Sequence, residues 1–247
     1  MPGAPLYAAD LSVKHNLFVL AAPILRPTPL GEDQHYFKRQ RAIEVWSLTP
    51  LKRRAVVPTG FAALEQQVAI SPDGRRCVIV LQTYMAVCDV VGMRKIYDTL
   101  GFDDLKGPDA PWRWTRSYPN AVAFTDEANT FVTLTQGDWS LPHYYGVHST
   151  ESVKPIKMGP VTLIGRDPIH SNDRDMPIVG RLANGEYLQI GGGFRSFSLE
   201  DATLRYRDVD APIPLGVATG VLLKESGTVM WGDAEGHVHV GVLKPEE

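Results

Sequence analysis

One phrase recurs five times along this chain: an apolar strand, a tight polar turn, a second apolar strand, then a third. Its clearest copy is Val68-Ala69-Ile70-Ser71-Pro72-Asp73-Gly74-Arg75-Arg76-Cys77-Val78-Ile79-Val80. Val122 to Asn129 leads into Phe131-Val132-Thr133-Leu134, and Leu182-Ala183-Asn184-Gly185 leads into Tyr187-Leu188-Gln189-Ile190. Leu222 to Gly227 leads into Val229-Met230-Trp231, and a weaker copy from Ala9 to Leu20 turns at Lys14-His15-Asn16. Self-similarity at a period of roughly 40–60 residues signals small sheets repeated around an axis, with one four-stranded sheet per unit.

Each unit reads as strands a, b, c and d. In the second unit these are Gln67 to Ser71, Cys77 to Leu81, Met85 to Val90 and Arg94 to Thr99. The first unit has c at Ala42 to Leu48 and d at Arg53 to Val57; the third has c at Tyr145 to His148 and d at Val153 to Met158. The fourth has c at Phe194 to Leu199 and d at Thr203 to Val209. The fifth has c at His237 to Val242 and then runs out at Lys244-Pro245-Glu246-Glu247. No helical period appears, and 22 glycines and 19 prolines punctuate the apolar runs, as short strands with frequent turns require. The expected fold is therefore all-β: one domain over residues 1–247, a β-propeller of about five blades, with a last blade of three strands. Two prolines within Met1 to Pro5 cannot donate to a ladder, which makes the N-terminus a poor source for a missing strand. The outer edge of the fifth sheet should lie open.

These residues resemble the WD-repeat β-propeller family in two places per unit. One is the turn ending in Ser71-Pro72-Asp73-Gly74. The other is the end of strand c, where the family favours Trp-Asp: Val45-Trp46-Ser47-Leu48 keeps the Trp and Val87-Cys88-Asp89-Val90 keeps the Asp. Ser196-Phe197-Ser198-Leu199 keeps an aromatic, and Val240-Gly241-Val242 keeps neither. The family's His before strand a is absent in every unit. The resemblance spans nearly the whole chain and implies a propeller, without pointing to a particular subfamily.

Consecutive connections of an antiparallel meander alternate between the two ends of its sheet. The a–b and c–d turns therefore share one face of the ring, and the b–c and d–a connections share the other. All a–b turns are tight, and the c–d turns are short. The four long insertions, Pro23 to Arg41, Gly101 to Tyr118, Gln136 to Tyr144 and Gly159 to Met176, all belong to the second class. Long connections on a rigid scaffold are where binding residues concentrate. Aromatic and Arg side chains anchor protein interfaces because they bury much area and still offer a polar contact. The candidate partner-binding residues are Tyr36, Phe37 and Arg39; Trp112, Trp114 and Arg116; and Trp139, His143, Tyr144 and Tyr145. Capping of the core beneath these loops is the structural alternative for the tryptophans.

The chemistry-bearing alternatives are thinner. His143, Asp167, His170, Asp173 and Asp175 are metal-ligand types, but no spacing matches a known loop, so no metal or other cofactor is expected. A five-bladed glycosidase needs paired carboxylates at a central pocket, and only Asp10 and Glu65 fall at the right ends of strands a. His237 and His239 share one side of their strand and read as surface histidines. Gly191-Gly192-Gly193 joins strands b and c, so it reads as a hairpin rather than a phosphate loop. Cys77 and Cys88 lie equally far from the turn at Gln82-Thr83, which places them opposite each other, where they are either a cross-strand disulfide or, as expected in a cytosol, two small buried reduced thiols. A formal net charge of −3 gives no reason to expect nucleic acid or an acidic membrane, and no run of 18 apolar residues is present. Without a basic region ahead of an apolar stretch at the N-terminus, the expected location is the cytoplasm. The expected role is a non-catalytic scaffold or adaptor that holds a protein partner, as a subunit of a larger complex. The alternative is a carbohydrate-active or carbohydrate-binding five-bladed propeller.

Overall fold

A computed structural model describes residues 8–23, 41–60, 66–81, 84–99, 118–136, 144–164, 177–190, 193–207, 209, 217–223, 226–233 and 237–244. Five small sheets stand in a ring, and no helix occurs among the described residues. The first sheet is β1 (Ala8–Ser12), β2 (Leu17–Pro23), β3 (Arg41–Leu48) and β4 (Leu51–Gly60). The second is β5 (Gln66–Ile70), β6 (Arg76–Leu81), β7 (Tyr84–Asp89) and β8 (Arg94–Asp98). The third is β9 (Tyr118–Phe124), β10 (Thr130–Gln136), β11 (Tyr144–Ser149) and β12 (Lys157–Pro160). A short strand, β13 (Thr162–Ile164), follows. The fourth sheet is β14 (Ile178–Arg181), β15 (Tyr187–Ile190), β16 (Phe194–Ser198) and β17 (Thr203–Arg207). The fifth is β18 (Val217–Leu223), β19 (Thr228–Asp233) and β20 (Val238–Val242), three strands as expected. This is a five-bladed propeller. The first strand of each sheet lies innermost: β1 meets β5, β5 meets β9, β9 meets β14 and β14 meets β18.

The tight a–b turns exist because single residues take the left-handed conformation that a short reversal demands. Asn16, Gly74, Gly185 and Gly227 have φ of 53°, 70°, 91° and 63°, a region open to glycine and tolerated by asparagine. At Gly74 an added Cβ would also lie 2.5 Å from the His15 ring of the preceding turn. Cys77 faces Cys88 in the β6–β7 register, and both thiols are free and buried. The hydrogen bond with Cys88, together with burial, pushes the Cys77 thiol pKa well up. Ile190 pairs with Phe194 at the end of the β15–β16 ladder, and Gly191 and Gly192 between them lie outside the described residues.

Two expectations change in the third unit. Its outer strand is Lys157–Pro160 rather than Val153 to Met158. The c–d connection therefore runs from Thr150 to Ile156, and the Ile156 amide already bonds to the Val147 carbonyl at 2.8 Å before the strand begins. The connection that follows is not wholly irregular either. β13 pairs in parallel with β17, on the outer edge of the fourth sheet, making that sheet five-stranded.

Alternating side chains from facing sheets form the core. Leu17, Val19, Ile43 and Val45 meet Val68, Cys77, Ile79 and Cys88 between the first and second sheets. Val78, Val80 and Val87 meet Val122 and Phe131 between the second and third. Leu134, Tyr145 and Val147 meet Tyr187, Phe197 and Leu204 between the third and fourth. Leu188, Ile190 and Phe194 meet Val229 and Trp231 between the fourth and fifth. Among the described residues no comparable cluster joins the fifth sheet to the first.

Candidate functional site

The two faces of the ring differ in what crosses between sheets. On the face of the tight turns, neighbouring sheets are stapled together. His15 Nε2 lies 2.8 Å from the Pro72 carbonyl, turn to turn between the first and second sheets. Arg181, at the end of β14, forms an ion pair with Asp126 in the a–b turn of the third sheet. Its guanidinium also donates from Nε to the Gly185 carbonyl at 2.9 Å and lies over the Tyr187 ring. Asn16 donates to the Thr49 carbonyl and accepts from the Leu48 and Thr49 amides, which locks the a–b turn of the first sheet to its c–d turn.

The other face is where the long connections depart. They leave or enter the described strands at Pro23 and Arg41, Thr99 and Tyr118, Gln136 and Tyr144, and Ile164 and Pro177. The antiparallel order of each meander puts all these ends on one side. The connecting residues themselves, with Tyr36, Phe37, Arg39, Trp112, Trp114, Arg116, Trp139 and His143, lie outside the described residues. So do Glu65, Asp167, His170, Asp173 and Asp175. Of the sequence candidates, Tyr144 and Tyr145 are described. Tyr144 is half-buried at the start of β11. Tyr145 packs in the core between the third and fourth sheets, with its ring 5.6 Å from that of Phe197 and under the Lys157 ammonium. Strand alternation explains the split, because adjacent residues point to opposite faces of the sheet. Tyr145 is a packing residue of the core rather than part of the exposed surface.

Beneath the departing ends lies a polar row that sequence reasoning missed. It starts near the axis at Gln67, on β5. The Gln67 side chain donates to the Ile178 carbonyl at 2.6 Å and accepts from the Val122 amide at 2.8 Å. One amide thus ties the innermost strands of the second, third and fourth sheets. The row continues across the fourth sheet, where Ile178, Gln189, Arg195 and Tyr206 are successive register partners. Gln189 and Arg195 are buried, and the Arg195 guanidinium sits 4.9 Å from the Tyr206 ring centroid. A buried guanidinium is tolerated only with partners, and an aromatic face supplies part of that compensation. Gln189, Arg195 and Tyr206 each make further interactions. An Arg inside Phe194-Arg195-Ser196-Phe197 reads as a solvent-facing alternate; no local signal marks it as buried.

Asp10 is held by main-chain amides. Its two oxygens accept the Ile70 and Leu11 amides at 2.7 Å each, which bridges the first and second sheets. Burial pushes its pKa up, and the two amide bonds oppose that shift. His237 and His239 share a side of β20; His239 stacks on Trp231 at 5.5 Å and makes an edge contact with His237. Among the described residues no three His, Cys, Asp or Glu side chains gather as a metal site. No helix among the described residues is long and apolar enough to cross a membrane. No protein-family model matches the chain, and a search of curated proteins returns no match.

Proposed function

We propose that the chain is a WD-repeat-like propeller that works as a non-catalytic scaffold, holding a protein partner on its loop-rich face within a larger cytoplasmic complex. One observation carries this reading: the connections 24–40, 99–117, 137–143 and 165–177 all depart from a single face, while the opposite face carries tight turns, inter-sheet staples and one seven-residue connection, Thr150 to Ile156. Surface loops raised on a rigid frame suit partner recognition. The aromatic and Arg content of those loops suits the anchors that dominate protein interfaces. The carboxylate expected for a glycosidase is tied to two backbone amides at Asp10, which weighs against the carbohydrate-active alternative.

The test compares the proteins that co-purify with the full chain against those retained by Trp139→Ala and Trp112→Ala. The expected result is loss of specific partners with the thermal midpoint nearly unchanged, while Pro72→Ala on the opposite face retains them. Hydrolysis of aryl glycosides that disappears in Asp10→Asn would overturn the scaffold assignment.

A further inference from the structure

The tight-turn face is divided by charge. In the a–b and c–d turns and the two residues either side of them, the first and second sheets carry Lys14, Lys52, Arg75, Arg76, Arg94 and Lys95 against Asp73 and Asp89. The same stretches of the third and fourth sheets carry Asp126, Glu127, Glu151, Glu186, Glu200 and Asp201 against Lys154, Lys157 and Arg181. Each half is joined from sheet to sheet. His15 reaches the Pro72 carbonyl across the basic half, and Arg181 reaches Asp126 across the acidic half. All of these turns lie within the described residues.

Pairing within the chain leaves part of each sign unmatched. Arg76 and Arg94 pair with Asp89, Lys95 pairs with Asp98, and Arg205 pairs with Glu186 and Asp201. Among the described residues, Lys14, Lys52 and Arg75 on one half and Glu127, Glu151 and Glu200 on the other form no ion pair. All of them are exposed. Aliphatic side chains stand out beside them. Val13, Leu51 and Val91 are 76%, 70% and 65% exposed at the basic turns, and Ile156 is 63% exposed at the acidic ones. Exposed apolar side chains set among charges are what an interaction surface offers.

We propose that the tight-turn face binds a second copy of this chain, turned over so that the basic half of each copy lies on the acidic half of the other. The order of the sheets around the ring allows this with one two-fold axis. An axis lying in the face, through the junction of the second and third sheets, sets the first sheet of one copy on the fourth of the other. It also sets the second sheet on the third. Both contacts occur twice, as a self-complementary interface requires, and assembly closes at two copies. The fifth sheet then faces its own copy, and its described turn residues, Ser226 and Gly227, carry no charge. Opposed potentials favour this register over one that sets basic half on basic half. A purely anionic partner would match only the basic half; a second copy matches both. The loop-rich face points outward on each copy, so the interface stands or falls independently of the scaffold reading.

Sedimentation equilibrium of the full chain tests this. In low salt the chain should form a dimer that dissociates on dilution, and about 1 M salt, with a Debye length of about 3 Å, should weaken it. Lys52→Glu with Arg75→Glu should raise the dimer dissociation constant by about a hundredfold or more, and so should Glu151→Lys with Glu200→Lys. Both double variants change exposed side chains and should keep the parent's thermal midpoint. Mixed in equal amounts, they should form a heterodimer, because the two reversed halves match each other, as do the two unreversed ones. Trp139→Ala should dimerise like the parent. A chain that is monomeric in low salt would overturn the proposal, as would a dimer that survives either charge reversal or a mixture that stays monomeric. Loss of the dimer in Trp139→Ala would also overturn it, by moving the interface to the loop-rich face. A monomer that binds phosphatidylserine vesicles through Lys52 and Arg75 would do the same, by making the occupant an anionic membrane.

Discussion

The junction between the second and third sheets and the outer face of the fifth sheet are built from the same kinds of residue. In the first, Val78, Val80 and Val87 are sealed against Val122 and Phe131. In the second, Val221, Val238, Val240 and Val242 face outward. Valine at alternate positions is what a sheet needs to pack on another sheet. The difference lies in the neighbour rather than in the strand. Four junctions, from the first–second to the fourth–fifth, each have a facing sheet that supplies the second half of a core. Among the described residues the fifth sheet has one such partner, and its other face carries exposed valines. Local pattern specifies the blade; chain order specifies which blades find a neighbour.

The largest expected contrast comes from truncating one residue in each region. Phe131 is fully buried at the sealed junction, within 5.8 Å of Phe124 and 5.1 Å of the His148 ring. Phe131→Ala should lose about 3–5 kcal/mol of stability through lost contact and the cavity left behind. Val240→Ala removes an exposed side chain and should shift stability by less than about 0.5 kcal/mol. Chemical denaturation of both variants checks this. Equal losses would mean that the fifth sheet's outer face is covered in solution.

The same sealed junction should make folding pH-dependent. His148 is buried, stacked on Phe131, and its Nε2 lies 3.0 Å from Thr133 Oγ1. Gly146 provides the room, since a Cβ there would lie 2.4 Å from Nε2. Burial lowers the His148 pKa from 6.5 to about 4. Between these values the unfolded chain binds a proton that the folded chain does not. Stability therefore rises from pH 4 to 6.5, and the His148 contribution is lost as pH falls through that window, by about 3 kcal/mol in all. His148→Gln, which keeps a side-chain partner for Thr133, should flatten the stability profile between those pH values. An unchanged slope in the variant would assign the dependence to other groups.

Much of this contrast was legible in the residues, for identifiable reasons. The a, b and c strands follow from period-two alternation bounded by turn residues such as Asn16, Gly74 and Gly185, because a tight reversal needs them. The three-stranded last blade follows from counting strands after Trp231. The pairing of Cys77 with Cys88 follows from a two-residue turn. What escaped depends on distance along the chain. Gln67 meets Ile178 across 111 positions, and nothing local to either residue records the meeting. β13 is three residues of ordinary apolar chain whose pairing depends on where β17 ends up. Arg195 looks like a surface residue because its charge predicts exposure, yet both faces of the fourth sheet are covered. The loop-rich face was legible as a place, from the lengths of the connections, while the polar row beneath it was not.

The smallest effect separates a closed junction from an open hairpin, using the same substitution twice. Gly220 lies in β18, where the fifth sheet meets the fourth. A Cβ added there would sit 2.9 Å from Ile190 Cδ1, 3.0 Å from Val179 Cγ1 and 3.1 Å from the Met230 carbonyl oxygen. The side-chain atoms are ends of residues already packed between the two sheets, and the carbonyl belongs to the adjacent strand, so none can retreat freely. Gly220→Ala should therefore destabilise by on the order of 1–3 kcal/mol, through overpacking. Gly193 lies in the hairpin between β15 and β16, and a Cβ there meets nothing within 4 Å. Its backbone is not in the left-handed region either. Gly193→Ala should leave stability within about 0.5 kcal/mol of the parent, or raise it slightly by restricting the unfolded chain. Thermal melts of the two variants side by side decide the matter. If Gly220→Ala is as harmless as Gly193→Ala, then the fourth and fifth sheets are held less tightly than their buried contacts imply, and the fifth sheet as a whole, not only its outer face, belongs with the open part of the molecule.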